Sequence, residues 1–263
     1  YKGNAPINQT RIISIVGTRL PTHYGKWLTN LIVEQLAPYN PLIISGLAYG
    51  IDVTAHQSAL DCNLQTIGVL AHSLATIYPP AHQHIAKNII AQGGLLTELS
   101  STARIEKFNF PKRNRIVAGL SDATIVIETE TKGGSMITAN LAFDYDRQVF
   151  ACPGKISDKK SSGCLQLIKT QKAQLITSGA DLLFWMNWNR DHLVNPVRSP
   201  DTDNPFSEDE KKVITLLKEG EEIHIDILLN ATGWSSYRLA AVLLDLSLAD
   251  HIVSLPGNKY QLI

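Results

Sequence analysis

Near-continuous apolar runs recur along the first two thirds of the chain, each separated from the next by enough residues for a helix. They are "IISIVG" (12–17), "LIISG" (42–46), "TIGVLA" (66–71), "LLTEL" (95–99), "ATIVIET" (123–129), "VFACPG" (149–154) and "AQLITS" (173–178). Runs of Val, Ile and Leu without polar alternation are the pattern of strands buried on both faces. The stretches between them, such as 24–37 and 80–92, carry helical apolar spacing. Strand–helix alternation predicts an α/β fold with a mostly parallel sheet covered by helices on both sides. Right-handed crossovers make it an extended Rossmann-like, doubly wound fold over residues 1–190.

The pattern changes after "ADLLFWMNW". Residues 191–205, "DHLVNPVRSPDTDNP", are polar, interrupted by proline and without period, and predict a linker. From 206 onward, "SEDEKKVITLLKEG" offers Ser207 as a helix cap followed by an acidic first turn. "HIDILLNATG" and "SSYRLAAVLLDLSLADHI" follow as two further helices, and "IVSLPGNKYQLI" as a hairpin. Three helices and a hairpin predict a small C-terminal winged-helix domain over 206–263.

Composition narrows the class. With 263 residues, 44% apolar and 18% charged, the chain can bury a sizeable core. No apolar run reaches the ~18 residues that span a bilayer, so no membrane association is expected. The opening "YKGNAPINQTR" lacks the pattern of a signal peptide, which makes the cytoplasm the expected location. Tyr1 is not a natural start, which suggests sequence upstream. Cys62, Cys152 and Cys164 are scattered and suit a reducing compartment rather than a zinc or disulfide framework. Formal net charge is zero, but residues 206–263 hold five Lys/Arg against nine Asp/Glu, a net of −4, which leaves +4 on residues 1–205. A polyanion would therefore meet the larger part.

Ligands of open α/β sheets bind beyond the carboxyl ends of strands. Three such loops carry small residues: "VGTRLPTHYG" (16–25), with Gly17, Thr18 and Arg19; "SGLAYGID" (45–52), with Ser45, Gly46 and Gly50; and "ETETKGGSMITAN" (128–140), with Lys132, Gly133, Gly134 and Ser135 opening a helix that has Thr138 one turn in. Small residues let backbone N–H groups approach an anion, and a helix N-terminus favours it. Lys112, Arg113 and Arg115 follow one another within "FPKRNR". Together these elements predict a phosphate-accepting groove along one edge of the sheet. The alternative for Arg113 or Arg115 is a structural ion pair with Asp122 or Glu128. GxGxxG, Walker A, HExxH, CxxC and the nucleophile elbow are all absent, so no catalytic centre, cofactor or metal is expected. Asp52 is expected to cap the helix start or to orient a loop and His56 to pack, and Trp185 and Trp188 to pack the last helix of the larger domain.

"SIVGTRLPTHYG", "IISGLAYGIDVTAHQSAL", "TIGVLAHSLATIYPPAH", "GGLLTEL", "FPKRNRIVAGLSDATIVIE", "GGSMITANLA", "RQVFACPGKI" and "SGCLQLIKTQKAQLITSGADL" resemble, in order, the DNA-processing protein A (DprA/Smf) family over residues 3–184. The resemblance implies a protein that binds single-stranded DNA entering by natural transformation, protects it and helps to load the RecA recombinase. It also implies a homodimer without catalytic activity, pairing through the late part of the Rossmann core. Carried over by position, the DNA pocket would comprise Gly17, Arg19, Ser45, Gly46, Phe110, Lys112, Arg113, Asn114, Arg115, Gly134, Ser135 and Thr138. Lys112, Arg113 and Arg115 would hold phosphates, with Phe110 placed to stack on a base or to wall the pocket. Gly133-Gly134-Ser135 stands where the family usually has Ser-Gly-Ser. The loop "AHSLATIYP" and the turn "DLSLADHI" also depart from the family pattern.

Two other classes use the same fold. A phosphoribohydrolase-like enzyme wants a glutamate within the turn after its Gly-Gly, and Ser135 to Leu141 contains no carboxylate. A nucleotide-binding sensor would hold one mononucleotide, whereas a strand binder gains affinity with strand length.

Overall fold

The computed structural model describes residues 1–188, 206–217, 222–249, 251–255 and 258–262. The chain forms two compact units, Tyr1–Val194 and Asn195–Ile263. The predicted linker 191–205 lies outside the described residues.

Strands β1 (Lys2–Gly3), β2 (Ile12–Val16), β3 (Leu42–Ser45), β4 (Thr66–Val69), β5 (Gly94–Leu96), β6 (Ala123–Val126), β7 (Gln148–Ala151) and β8 (Gln174–Leu175) build one sheet in the order β1-β5-β4-β3-β2-β6-β7-β8. Every pairing is parallel except β1 with β5. β1 was not legible in the sequence, because two residues carry no period. The run "LLTEL" is strand only to Leu96, and "AQLITS" only at Gln174–Leu175.

β2, β3, β4 and β6 are buried at every position, as their unbroken apolar runs require. Successive side chains then feed opposite layers. Ile13, Ile15 and Ile43 join α1 (His23–Leu36), α2 (Ile51–Asp61) and α7 (Gly179–Trp185) in one core. Ile12, Val16, Leu42 and Ile44 join α4 (Asn109–Leu120), α5 (Gly134–Asp144) and α6 (Ser162–Lys169) in the other. α3 (Gln83–Gln92) closes a smaller cluster with Leu47, Leu70 and Leu95. Local chemistry sets the helix starts: Thr22 Oγ1 accepts from Gly25 N at 3.0 Å, and Ser178 and Asp181 form a capping box at α7. Trp188 packs on the first core as expected, whereas Trp185 is half-exposed. Among the described residues no helix is long and apolar enough to cross a membrane.

The smaller unit contains α8 (Glu208–Leu216), β9 (Ile223–His224), α9 (Ile225–Thr232), α10 (Ser236–Leu248), β10 (Ile252–Leu255) and β11 (Lys259–Leu262). Its antiparallel sheet runs β10-β11-β9, a winged-helix arrangement in which β9 adds a third strand to the expected hairpin. Ser207 caps α8 in a reciprocal box with Glu210. Val213, Leu228, Leu239, Leu243 and Leu246 form its core. Arg238, the cation of α10, is held by the Asp209 carboxylate (Nε–Oδ2 2.9 Å, Nη2–Oδ1 2.8 Å) and lies 4.7 Å from the Trp234 ring.

Candidate nucleic-acid interface

β2 and β6 are neighbours from which the chain winds outward in opposite directions, so their carboxyl ends mark the switch point where doubly wound folds bind ligands. Here the protein fills that point itself. The Glu128 carboxylate, on a residue 2% exposed, accepts from Thr22 N at 2.9 Å and from the Thr22 hydroxyl. A β-carbon at Gly25 would collide with that carboxylate. The N-terminus of α1 thus has an internal anion, and a nucleotide phosphate has no place there.

The open pocket lies beside the switch point, over the ends of β2, β3 and β4. It encloses about 100 Å³, and its walls include Arg19, Tyr49, His72, Tyr78, Phe110 and Arg113. The Arg19 guanidinium stands 5.8 Å from the Phe110 ring centre, and Tyr78 meets the same ring at 5.9 Å and 62°. Tyr49 rests edge-on against His82 at 4.8 Å, and His82 Nδ1 is 2.9 Å from the Leu47 carbonyl. Arg19, Tyr49 and Tyr78 are exposed at the rim. The mouth therefore offers ring faces and a cation, a combination suited to a base and its phosphate.

The floor is polar and buried. Arg113, 7% exposed, donates through Nη1 to the Val69 carbonyl and faces Asp52. Burial pushes the Asp52 carboxyl up to about 6, opposed first by the Arg113 charge. Burial also lowers Arg113 from its ordinary value, while Asp52 holds it up. Gly46 makes room for the pair, since a β-carbon there would fall against both the carboxylate and the guanidinium. His56 is fully buried, with Nε2 donating to the Gly46 carbonyl at 2.5 Å and Nδ1 2.7 Å from Thr66 Oγ1. Burial pushes its imidazole down to about 4. Asp52 and His56 thus orient a loop and pack, as expected. Gly50, at φ 83°, opens α2 where any side chain would strike the backbone of Thr18 and Arg19. It lets the β3–α2 loop press on the loop that presents Arg19.

The three cations of α4 do not form one cluster. At 100° per residue, Lys112 and Arg115 share a side and Arg113 turns inward. Lys112 is exposed, Arg113 lies in the pocket floor, and Arg115 pairs with Glu98 at the surface. Neither arginine takes Asp122 or Glu128: Asp122 accepts from Ile12 N at 2.9 Å and faces Arg147, and Glu128 serves Thr22. Asn114 Nδ2 reaches the Gly134 carbonyl at 3.5 Å and so links α4 to the start of α5. Gly134 is open to its surroundings, Ser135 Oγ is a buried hydroxyl with no hydrogen-bond partner among the described residues, and Thr138 is buried one turn later. A hydroxyl left unmatched at a helix N-terminus can donate to an anionic oxygen.

Ser45 and Gly46 lie below the surface, with the Ser45 hydroxyl donating to the Ile15 carbonyl at 2.6 Å; Gly17 is partly exposed and packs where a β-carbon would meet Ile51. Tyr49, His72 and Tyr78 were missed as pocket residues. Tyr78 stands before two prolines and Tyr49 before Gly50, settings whose local pattern signals a turn rather than a pocket wall.

Known proteins share this architecture. The sequence profile described as DNA recombination-mediator protein A matches residues 1–187, and the DprA winged helix domain matches 197–258. Protein Smf of Escherichia coli K12 is 36% identical over 259 residues, covering 95% of this chain and 67% of its own length. The X-ray structure of DNA processing protein A from Streptococcus pneumoniae superposes with a TM-score of 0.65 at 38% identity, covering 69% of this chain and 64% of that one. DNA processing protein A from Helicobacter pylori, described for its single-stranded DNA binding mode, gives 0.66 at 31% identity over 72% of this chain and 86% of that one. This chain thus spans less than two thirds of the S. pneumoniae chain. With both units matched in order and at these identities, the chain belongs to the DNA recombination-mediator protein A (DprA/Smf) family.

Proposed function

We propose that this protein binds single-stranded DNA in the pocket over β2, β3 and β4, as a DNA-processing protein of natural transformation. The observation that carries the reading is the Arg19–Phe110–Tyr78 constellation above the buried Arg113. Bases stack on the rings without regard to sequence, Arg19 and Lys112 meet phosphates from solvent, and the Arg113–Asp52 pair forms a polar floor. Gly46 and Gly17 shape the loops, Ser45 anchors one from beneath, and Asn114, Gly134, Ser135 and Thr138 form the neighbouring helix start. Arg115 joins the phosphate contacts by exchanging its exposed partner Glu98.

The binding role is non-enzymatic. The buried carboxylates at this edge, Asp52 and Glu128, are committed to Arg113 and to Thr22, which argues against phosphoribohydrolase chemistry. The filled switch point argues against a mononucleotide sensor. Membership of the family supports the remaining parts: protection of incoming strands and loading of RecA in the cytoplasm by a homodimer.

Gel shift against oligothymidylates of increasing length tests the reading. Affinity should climb with length, and Arg19→Ala or Lys112→Ala should weaken binding and flatten the salt slope by about one unit each. A mononucleotide bound as tightly as a long strand, or slopes unchanged in both variants, would refute it.

A further inference from the structure

A second set of exposed rings lies outside the pocket. Tyr24 and Trp27, in the first turns of α1, are 45% and 56% exposed, with ring centres 5.8 Å apart and planes inclined by 34°. The Tyr24 hydroxyl reaches the Pro153 carbonyl at 3.4 Å, which places the pair over the end of β7. Two exposed rings side by side offer a face on which a flat apolar group can rest.

Charge identifies what the face suits. Lys155 is exposed just beyond Pro153, Lys159 is 82% exposed at 3.5 Å from Glu130, and Lys160 Nζ donates to the Leu20 carbonyl at 2.6 Å. The acids nearby are partly spent: Glu130 faces Lys159, and Asp158 accepts from Lys160 N. Rings flanked by lysines complement a flexible polyanion. The patch is also continuous with the pocket, because Leu20, whose carbonyl holds Lys160, directly follows Arg19. From β4 to β7 the edge of the sheet crosses four strand spacings, roughly 20 Å.

We infer that single-stranded DNA leaving the pocket at Arg19 continues across this edge, with bases on Tyr24 and Trp27 and phosphates at Lys155, Lys159 and Lys160. The inference rests on the pocket being a single-strand site and adds a second subsite that only longer strands reach. Within a pocket-sized oligonucleotide the subsite contributes nothing.

Fluorescence anisotropy with oligothymidylates of about 5 and about 20 nucleotides separates the two claims. The Tyr24→Ala/Trp27→Ala protein should bind the long strand about tenfold more weakly and the short strand within about twofold of wild type. Lys155→Ala/Lys159→Ala should lower the long-strand salt slope by about one to two units and leave the short-strand slope unchanged. Trp27→Phe, which keeps a ring, should retain long-strand affinity. Unchanged long-strand binding in both double variants overturns the subsite, as does equal loss for both lengths; the former would hand the patch to an acidic protein partner. Wild-type protein that binds neither length overturns the pocket reading and the subsite with it.

Discussion

His56 offers a direct measurement of how the pocket floor is held. Its ring is fully buried, Nε2 supports the Gly46 carbonyl, and burial pushes its titration from 6.5 in the unfolded chain to about 4. A group whose folded value is depressed contributes stability that is fully present above 6.5 and is lost as pH falls through 4. Between those values the unfolded chain takes up one proton that the native state refuses, a slope of about 1.4 kcal/mol per pH unit. By pH ~4.5 the accumulated loss is about 2 kcal/mol after rounding at the ends of the window. His56→Gln keeps an amide donor for Gly46 and removes the titration, so it should cost about 1 kcal/mol at neutral pH yet lose less on acidification. Asp52, raised by burial, gains stability over an overlapping range, and does so in both proteins, so it cancels in the comparison. Urea unfolding of both proteins at neutral pH and at pH ~4.5 reads the difference. Superimposable pH profiles, or an NMR titration placing His56 near its unfolded value, would show that the ring is not sealed in the floor.

The same floor predicts that Gly46→Ala, which drives a methyl group into the Asp52–Arg113 pair, destabilises the larger unit by about 1–3 kcal/mol in chemical denaturation. A loss below the measurement error would mean the pair has room to move. In the smaller unit Arg238 is committed to Asp209, and the tail carries a net −4. Deleting residues 206–263 should therefore leave single-strand affinity within about threefold, ~0.7 kcal/mol, and the isolated tail should not shift duplex DNA at physiological salt. A tail that shifts duplex would reverse this assignment of roles.

Period and local chemistry, both written in the sequence, determined most of the architecture. Unbroken runs such as "IISIV" and "ATIV" demand burial on both faces, and Thr22, Ser178 and Ser207 start their helices through contacts within a few residues. Strands β1 and β9 escaped because two residues have no period, and their pairing is decided by distant partners, Gly94–Leu95 and Lys259–Tyr260. At the site, "KRNR" announced positive charge, but the direction of each charge depended on which side of α4 met the sheet. Arg113 turned inward because Asp52, from another helix, and the Val69 carbonyl, from another strand, stood there to receive it. Tyr49, Tyr78 and Phe110 come from separate segments, and only the sheet brings them to one mouth. Glu128 shows the division most plainly: the sequence places a carboxylate at the end of a buried strand, and it becomes the cap of α1 only because β6 folds beside β2. Contacts within one or two turns can be read from neighbours along the chain. Contacts across the sheet depend on topology, and a local pattern carries no record of it.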